Sequence, residues 1–223
     1  LKVIDRYTNP IFDAAAGIYS NVDDLSKWVL LNLNKGKHND AQIISEAQIK
    51  EMTKPQTLMP ITTKPPYNSL FRAYGLGFQL QDVAGKLEVS HTGGLEGIVT
   101  QIVMYPQLNL GVIVLTNQQE GAAFMAGSNT IKDHYLGLPE KDWVKEYDEL
   151  ISKRGEEADK ITDEVWQTVS QNKKSKSPET KNLIGTYKDN WFGEITISEA
   201  NGKLRFVSKR SPQLSGDMFH YKN

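Results

Sequence analysis

The stretch from Tyr74 to Asn117, YGLGFQLQDVAGKLEVSHTGGLEGIVTQIVMYPQLNLGVIVLTN, most constrains the fold. It reads as successive short strands: Tyr74–Gln81, Leu87–His91, Ile98–Tyr105 and Leu110–Thr116. Ala84-Gly85 and Pro106-Gln107-Leu108-Asn109 are the turns between them. Connections this short require antiparallel pairing. The last strand, LGVIVLT, is apolar almost throughout, so both its faces need cover. Period-two alternation puts Leu87, Val89 and His91 on one face, and Glu88, Ser90 and Thr92 on the other. His91-Thr92-Gly93-Gly94 then ends a strand with an imidazole, a hydroxyl and two residues without side chains. A ligand or another backbone can come close at such a place.

The cover comes from helices. Asn21, with Asp24 three residues on, opens a helix in which Val22, Leu25, Trp28, Val29 and Leu33 recur at helical spacing, and Gly36 stops it. Ser45 with Gln48 opens a second, which turns Ile49 and Met52 inward and ends at Pro55. Residues 55–73 carry Pro55, Pro60, Pro65 and Pro66 and read as a long loop. A third helix is expected over Gln119–Leu136, with Phe124, Ile131 and Tyr135 on its inner face. Residues 140–170 are highly charged, with Trp143, Val144, Tyr147, Ile161, Val165, Trp166 and Val169 among the apolar residues at helical intervals. They predict one long helix or a helical pair. Gln171–Thr180 is linker-like. Strands return at Ile184–Tyr187, Glu194–Ser198 and Lys203–Val207, with Asn201-Gly202 as the hairpin turn. Trp191-Phe192, in a turn of this part, is expected in its core; the alternative for such a pair is an exposed binding patch.

The expected fold class is therefore α+β: an antiparallel sheet flanked by helices, followed by a small all-β module. The expected divisions are residues 1–138, a charged helical connector over 139–181, and a β module over 182–223 that is itself cut short. The start Leu1-Lys2-Val3 reads as that of an excised piece.

With a net charge of −1 over 223 residues, the chain has no basic footprint for nucleic acid. No apolar run reaches transmembrane length. The absence of cysteine excludes disulfides and a thiol nucleophile. His38, His134 and His220 fall in separate elements without ligand spacing, so no metal and no cofactor is expected.

Acyl transfer by serine needs a nucleophile, a base and N–H donors for the oxyanion. His91-Thr92-Gly93-Gly94 can offer donors and a hydroxyl; the same letters also make an ordinary strand end. Three blocks extend the reading. They are Ala15-Ala16-Gly17-Ile18-Tyr19-Ser20-Asn21-Val22-Asp23-Asp24-Leu25-Ser26-Lys27-Trp28; Tyr74-Gly75-Leu76-Gly77-Phe78 followed by His91-Thr92-Gly93-Gly94; and Gly111-Val112-Ile113-Val114-Leu115-Thr116-Asn117. In order and spacing they resemble the C-terminal half of the class C β-lactamase-like serine hydrolases, a family that includes penicillin-binding proteins, D-peptidases and esterases.

The resemblance implies that His91, Thr92 and Gly93 line the substrate cleft and that the Gly94 N–H is an oxyanion donor. It also implies that Asn117 helps to hold a substrate carboxylate. Histidine where many relatives carry lysine implies weaker, pH-dependent carboxylate binding. The implied substrate is a small molecule or peptide: a peptidoglycan-like peptide, a β-lactam or an ester. The implied location is periplasmic or otherwise extracytoplasmic. The family's Ser-x-x-Lys and Tyr-x-Asn motifs are expected upstream, on the missing N-terminal half of the hydrolase domain. Ser170-Gln171-Asn172-Lys173 is out of order, and Tyr7-Thr8-Asn9, Tyr19-Ser20-Asn21 and Tyr221-Lys222-Asn223 match by letter only. The chain alone is therefore expected to be inactive. The alternative is a non-catalytic ligand-binding or sensor protein of the same fold. Gly185-Thr186-Tyr187-Lys188-Asp189, Gly193-Glu194-Ile195-Thr196-Ile197, Asn201-Gly202-Lys203-Leu204 and Leu214-Ser215-Gly216-Asp217 resemble the small β domain often appended to bacterial members.

Overall fold

The computed structural model describes residue 3 and residues 13–61, 66–95, 97–173 and 179–222. The chain divides into two compact units, Leu1–Leu150 and Ile151–Asn223.

The first unit runs α1 (Asp13–Ala16), α2 (Val22–Leu33), a ribbon of β1 (Lys37–His38) and β2 (Ala41–Gln42), and α3 (Glu46–Met52). Then come β3 (Thr57–Leu58), β4 (Arg72–Tyr74), β5 (Gln79–Val83), β6 (Lys86–Leu95), β7 (Ile98–Tyr105), β8 (Leu110–Thr116), α4 (Gly121–Leu136) and the start of α5 (Trp143–Asn172). Strands β3 to β8 form one six-stranded sheet in chain order, every neighbouring pair antiparallel.

Local chemistry sets the helix starts. The Asn21 side chain accepts from the Asp24 N–H, and Ser45 and Gln48 cap each other's backbone reciprocally. Ala84 and Gly85 both have positive φ, the backbone of a tight two-residue hairpin.

Two strands differ from expectation. Tyr74–Gln81 is not one strand; β4 and β5 pair with each other across a turn at residues 75–78. Gly77 takes φ +82 there, and a Cβ on Gly75 would collide with the Met52 carbonyl oxygen. The proline-bearing loop contributes β3 and most of β4 to the sheet edge. β6 runs on to Leu95, so His91-Thr92-Gly93-Gly94 lies inside a strand rather than ending one. Glycine pairs by backbone alone, and β7 supplies a partner for each residue as far as Leu95↔Ile98.

Helices cover both faces of the sheet. On one, Val29 of α2 packs with Phe78, Leu80, Val89 and Met104. A Cβ on Gly111 would collide with Val29 Cγ1, so glycine there lets α2 lie close to β8. On the other, Leu136 of α4 joins Val83, Val103, Tyr105, Leu110 and Val112. The inner face of α4 is not the expected one. Phe124 is buried, but Ile131 and Tyr135 are 41% and 58% exposed, while Ser128, Asn129, Lys132 and Asp133 are buried. The sheet presents polar groups to α4, and hydrophobic periodicity cannot register a polar inner face.

In the second unit, β9 (Gly185–Asp189), β10 (Gly193–Ala200), β11 (Lys203–Ser208) and β12 (Ser215–Asp217) form an antiparallel sheet of order β12-β11-β10-β9. Asn201 and Gly202, at φ +54 and +73, close β10 on β11 through Ala200↔Lys203. Trp191 and Phe192 are not in a core. They stand 78% and 70% exposed on the β9–β10 turn. The Asp189 carboxylate accepts both their backbone N–H groups, at 2.7 and 2.8 Å, which fixes the turn with its rings outward.

Candidate functional site

β6 carries the candidate residues because its two flanks differ in length. Pairing with β5 runs from Lys86 only to Ser90, opposite Gln79. His91 to Leu95 pair with β7 alone. In an antiparallel ladder, successive residues direct their N–H to opposite flanks. The Val83↔Lys86 pair closes the Ala84–Gly85 hairpin, so Lys86, Glu88, Ser90, Thr92 and Gly94 direct their backbone groups toward the β5 flank. Past Ser90 that flank has no strand among the described residues, and among them the Thr92 and Gly94 N–H groups face a free edge.

The side chains around this edge are exposed. The Tyr74 hydroxyl shares a hydrogen bond of 2.8 Å with His91 Nε2, and the two rings meet edge-on at 5.9 Å. The bond fixes where the imidazole sits. It takes either form: tyrosine donating to a neutral ring, or the ring donating to tyrosine. A Cβ on Gly93 would fall 2.5 Å from Oγ1 of its cross-strand neighbour Thr100, so any other residue there would have to displace that hydroxyl. Beside Gly94 a Cβ would meet nothing within 4 Å; that position opens to space. α1 also lies against β6. The geometry suits an acceptor oxygen coming in at the strand edge, with Thr92 and His91 on either side.

The structure thus brings His91, Thr92, Gly93 and Gly94 together and keeps Asn117 apart. The register aligns Gly94 with Val99 and Val99 with Thr116, so Asn117 sits exposed just past β8, two strands over. At the usual strand spacing that is roughly 10 Å from Gly94. Asn21 uses its side chain to cap α2. Ser170 is an exposed residue of α5, in the second unit. Tyr7-Thr8-Asn9 and Asn223 lie outside the described residues. Among the described residues, no group of three or more His, Asp or Glu side chains could hold a metal. Nor is any helix among them long and apolar enough to cross a membrane.

Sequence reasoning missed the polar layer that anchors β6 to α4. Glu88, three residues before His91, is buried, and Lys132 Nζ reaches its Oε2 at 3.1 Å. The Tyr105 hydroxyl donates to the same oxygen, and Gln81 Nε2 donates to Oε1 at 2.8 Å. Lys132 Nζ also lies 4.2 Å from the centroid of the Tyr67 ring. Tyr67 donates to Asp133 Oδ1 at 2.8 Å, and Trp143 Nε1 donates to Oδ2 at 2.6 Å. Burial, reinforced by the neighbouring carboxylates, pushes the Tyr67 and Tyr105 hydroxyls far above the ordinary phenol range. Both are therefore permanent donors. On the same face as Thr92, Ser128 Oγ donates to Gln101 Oε1 at 2.6 Å, and Gln101 is the cross-strand partner of Thr92. The available signal was a lone acid, Glu88, in the middle of a strand with both faces covered. Such a group must find partners.

Sheet, flanking helices and strand-edge motif together describe an α+β hydrolase-like domain. Residues 2–136 match the model of the Beta-lactamase family, and the chain belongs to that family. Unguisins hydrolase ungD of Aspergillus violaceofuscus is 27% identical over 157 residues, which cover 64% of this chain and 27% of that protein. Unguisins hydrolase ungD' of Aspergillus campestris is 26% identical over 189 residues, covering 82% and 33%. The chain thus spans about a third or less of the length of these curated relatives. The solved octameric penicillin-binding protein homologue from Pyrococcus abyssi matches with 17% identity and a TM-score of 0.44, over 90% of this chain and 37% of that one.

Proposed function

We propose that this chain is part of a serine hydrolase working through an acyl-enzyme on an amide, β-lactam or ester, in a compartment outside the cytoplasm. The observation that supports it most is the Gly94 N–H directed at a free strand edge beside His91, in a member of the Beta-lactamase family. In this reading the serine and its lysine lie on sequence upstream of Leu1. The substrate carbonyl oxygen takes the Gly94 N–H, and its negative charge in the tetrahedral intermediate strengthens that bond. Thr92 orients a polar group of the substrate. His91, placed by Tyr74, receives a substrate carboxylate when protonated. The names of the two Aspergillus relatives, both hydrolases, agree with this class.

The test is to assay the protein with its upstream sequence against p-nitrophenyl esters and a chromogenic β-lactam. Turnover is expected, and it should vanish when the serine of an upstream Ser-x-x-Lys is changed to alanine. The present chain alone should neither turn over nor be labelled by penicillin. His91→Lys in the longer protein should tighten β-lactam binding and flatten its pH dependence. An upstream sequence with no Ser-x-x-Lys would sink the proposal and leave the alternative, a ligand-binding protein of this fold.

A further inference from the structure

The second unit contains a cleft of about 520 Å³, and nothing in the hydrolase reading uses it. Its lining includes Ile195 of β10 and Phe206 of β11. It also includes Trp191 and Phe192 of the β9–β10 turn, and Arg210 and Leu214 of the β11–β12 loop. The volume falls in the range of small-ligand sites, and walls with a few polar groups are their usual make-up.

Two features make this more than a surface dent. The aromatic pair is mostly exposed on a turn whose backbone is held, because Asp189 Oδ1 fastens both N–H groups and the Arg210 guanidinium donates to the Trp191 carbonyl. Exposed aromatics cost solubility, and a turn backbone fixed in advance lowers the entropy cost of using the rings it carries as a clamp. The second is charge. Two cations line the cleft, and Lys188 has no ion pair among the described residues, because Lys209 takes the carboxylate of its cross-strand neighbour Glu194 at 2.8 Å. Arg210 has no ion pair among the described residues, and its carbonyl bond leaves further guanidinium N–H groups to donate. The lining acid, Asp189, is engaged by the two turn N–H groups, which hold its carboxyl below the usual range.

We propose that this cleft binds the C-terminal end of a peptide, taking an apolar last side chain between Trp191, Phe192 and Leu214 and its free carboxylate on Arg210. An apolar slot beside one unpaired guanidinium matches that chemistry, because guanidinium is the planar partner a carboxylate takes in bidentate fashion. The inference stands apart from the hydrolase reading; it concerns a site wholly within the second unit.

The probe is N-acetyl-L-phenylalanine, compared with its amide, titrated into the intact chain while the Trp191 indole N–H is followed by NMR. Saturable binding of the acid is expected, weaker by about tenfold for the amide, the size of one charge-assisted hydrogen bond. Arg210→Gln should bring the acid down to the level of the amide, and Trp191→Ala should abolish binding of both. The acid–amide comparison needs no variant, so a misfolded mutant leaves the test intact. Equal binding of acid and amide, no saturable shift with either, or concentration-dependent self-association that shields Trp191 would each overturn the proposal.

Discussion

A small group of buried charges, Glu88, Lys132 and Asp133, governs the interior of the first unit. Glu88 is acceptable among apolar residues only because Lys132, Tyr105 and Gln81 complete its shell. Lys132→Met should destabilise the protein by about 3–5 kcal/mol, because it strands the carboxylate. Adding Glu88→Gln should recover most of that loss, read from urea midpoints. At Asp189 the prediction concerns pH. Its carboxyl is held below the ordinary value of 3.8 by the Phe192 and Trp191 backbone N–H groups. A depressed folded pKa means the stabilisation is fully present above the unfolded value and is lost as pH falls through the folded one. The β9–β10 turn should loosen below about pH 4. Trp191 fluorescence should report that acid transition, and Asp189→Asn should remove it.

Among the elements, the contact of α2 with β8 depends on a missing side chain. Gly111→Ala sets a methyl against Val29 Cγ1 and should cost about 1–3 kcal/mol in thermal or urea unfolding. Val29→Ala in the same chain should recover part of it. The elements most legible in the sequence were those whose signals are local. Asn21 and Ser45 as caps, and Ala84-Gly85 and Asn201-Gly202 as turns, all act within a few residues. What the sequence concealed depends on distant partners. The split of β4 from β5 follows from the close approach of Gly75 to Met52, and the polar inner face of α4 follows from Glu88 on another element. Trp191 and Phe192 escaped for the opposite reason: apolar residues are expected inside, and only the Asp189 turn reveals that they are held outside. The candidate site was legible as four consecutive letters, His91 to Gly94. Its free edge was not, since that depends on where β5 stops.

At the scale of the whole molecule, two contact units imply two cooperative blocks. Scanning calorimetry should resolve two transitions. Lys132→Met should lower only one of them. Gly202→Val, which forces a branched side chain onto φ +73, should lower only the other. A single transition moved by both variants would show that the units unfold together.

The free flank of β6 has a consequence for behaviour in concentrated solution. Unpaired N–H and C=O groups along a strand are a template on which a second molecule can grow, the first step toward fibres. Here the backbone groups that face outward are those of Thr92 and Gly94, with Gly93 between them bonded toward β7; they offer an incoming strand hydrogen bonds but no bulky side chains to lock into a dry interface. An edge of this composition stays available to a transient visitor and makes a poor seed for permanent assembly.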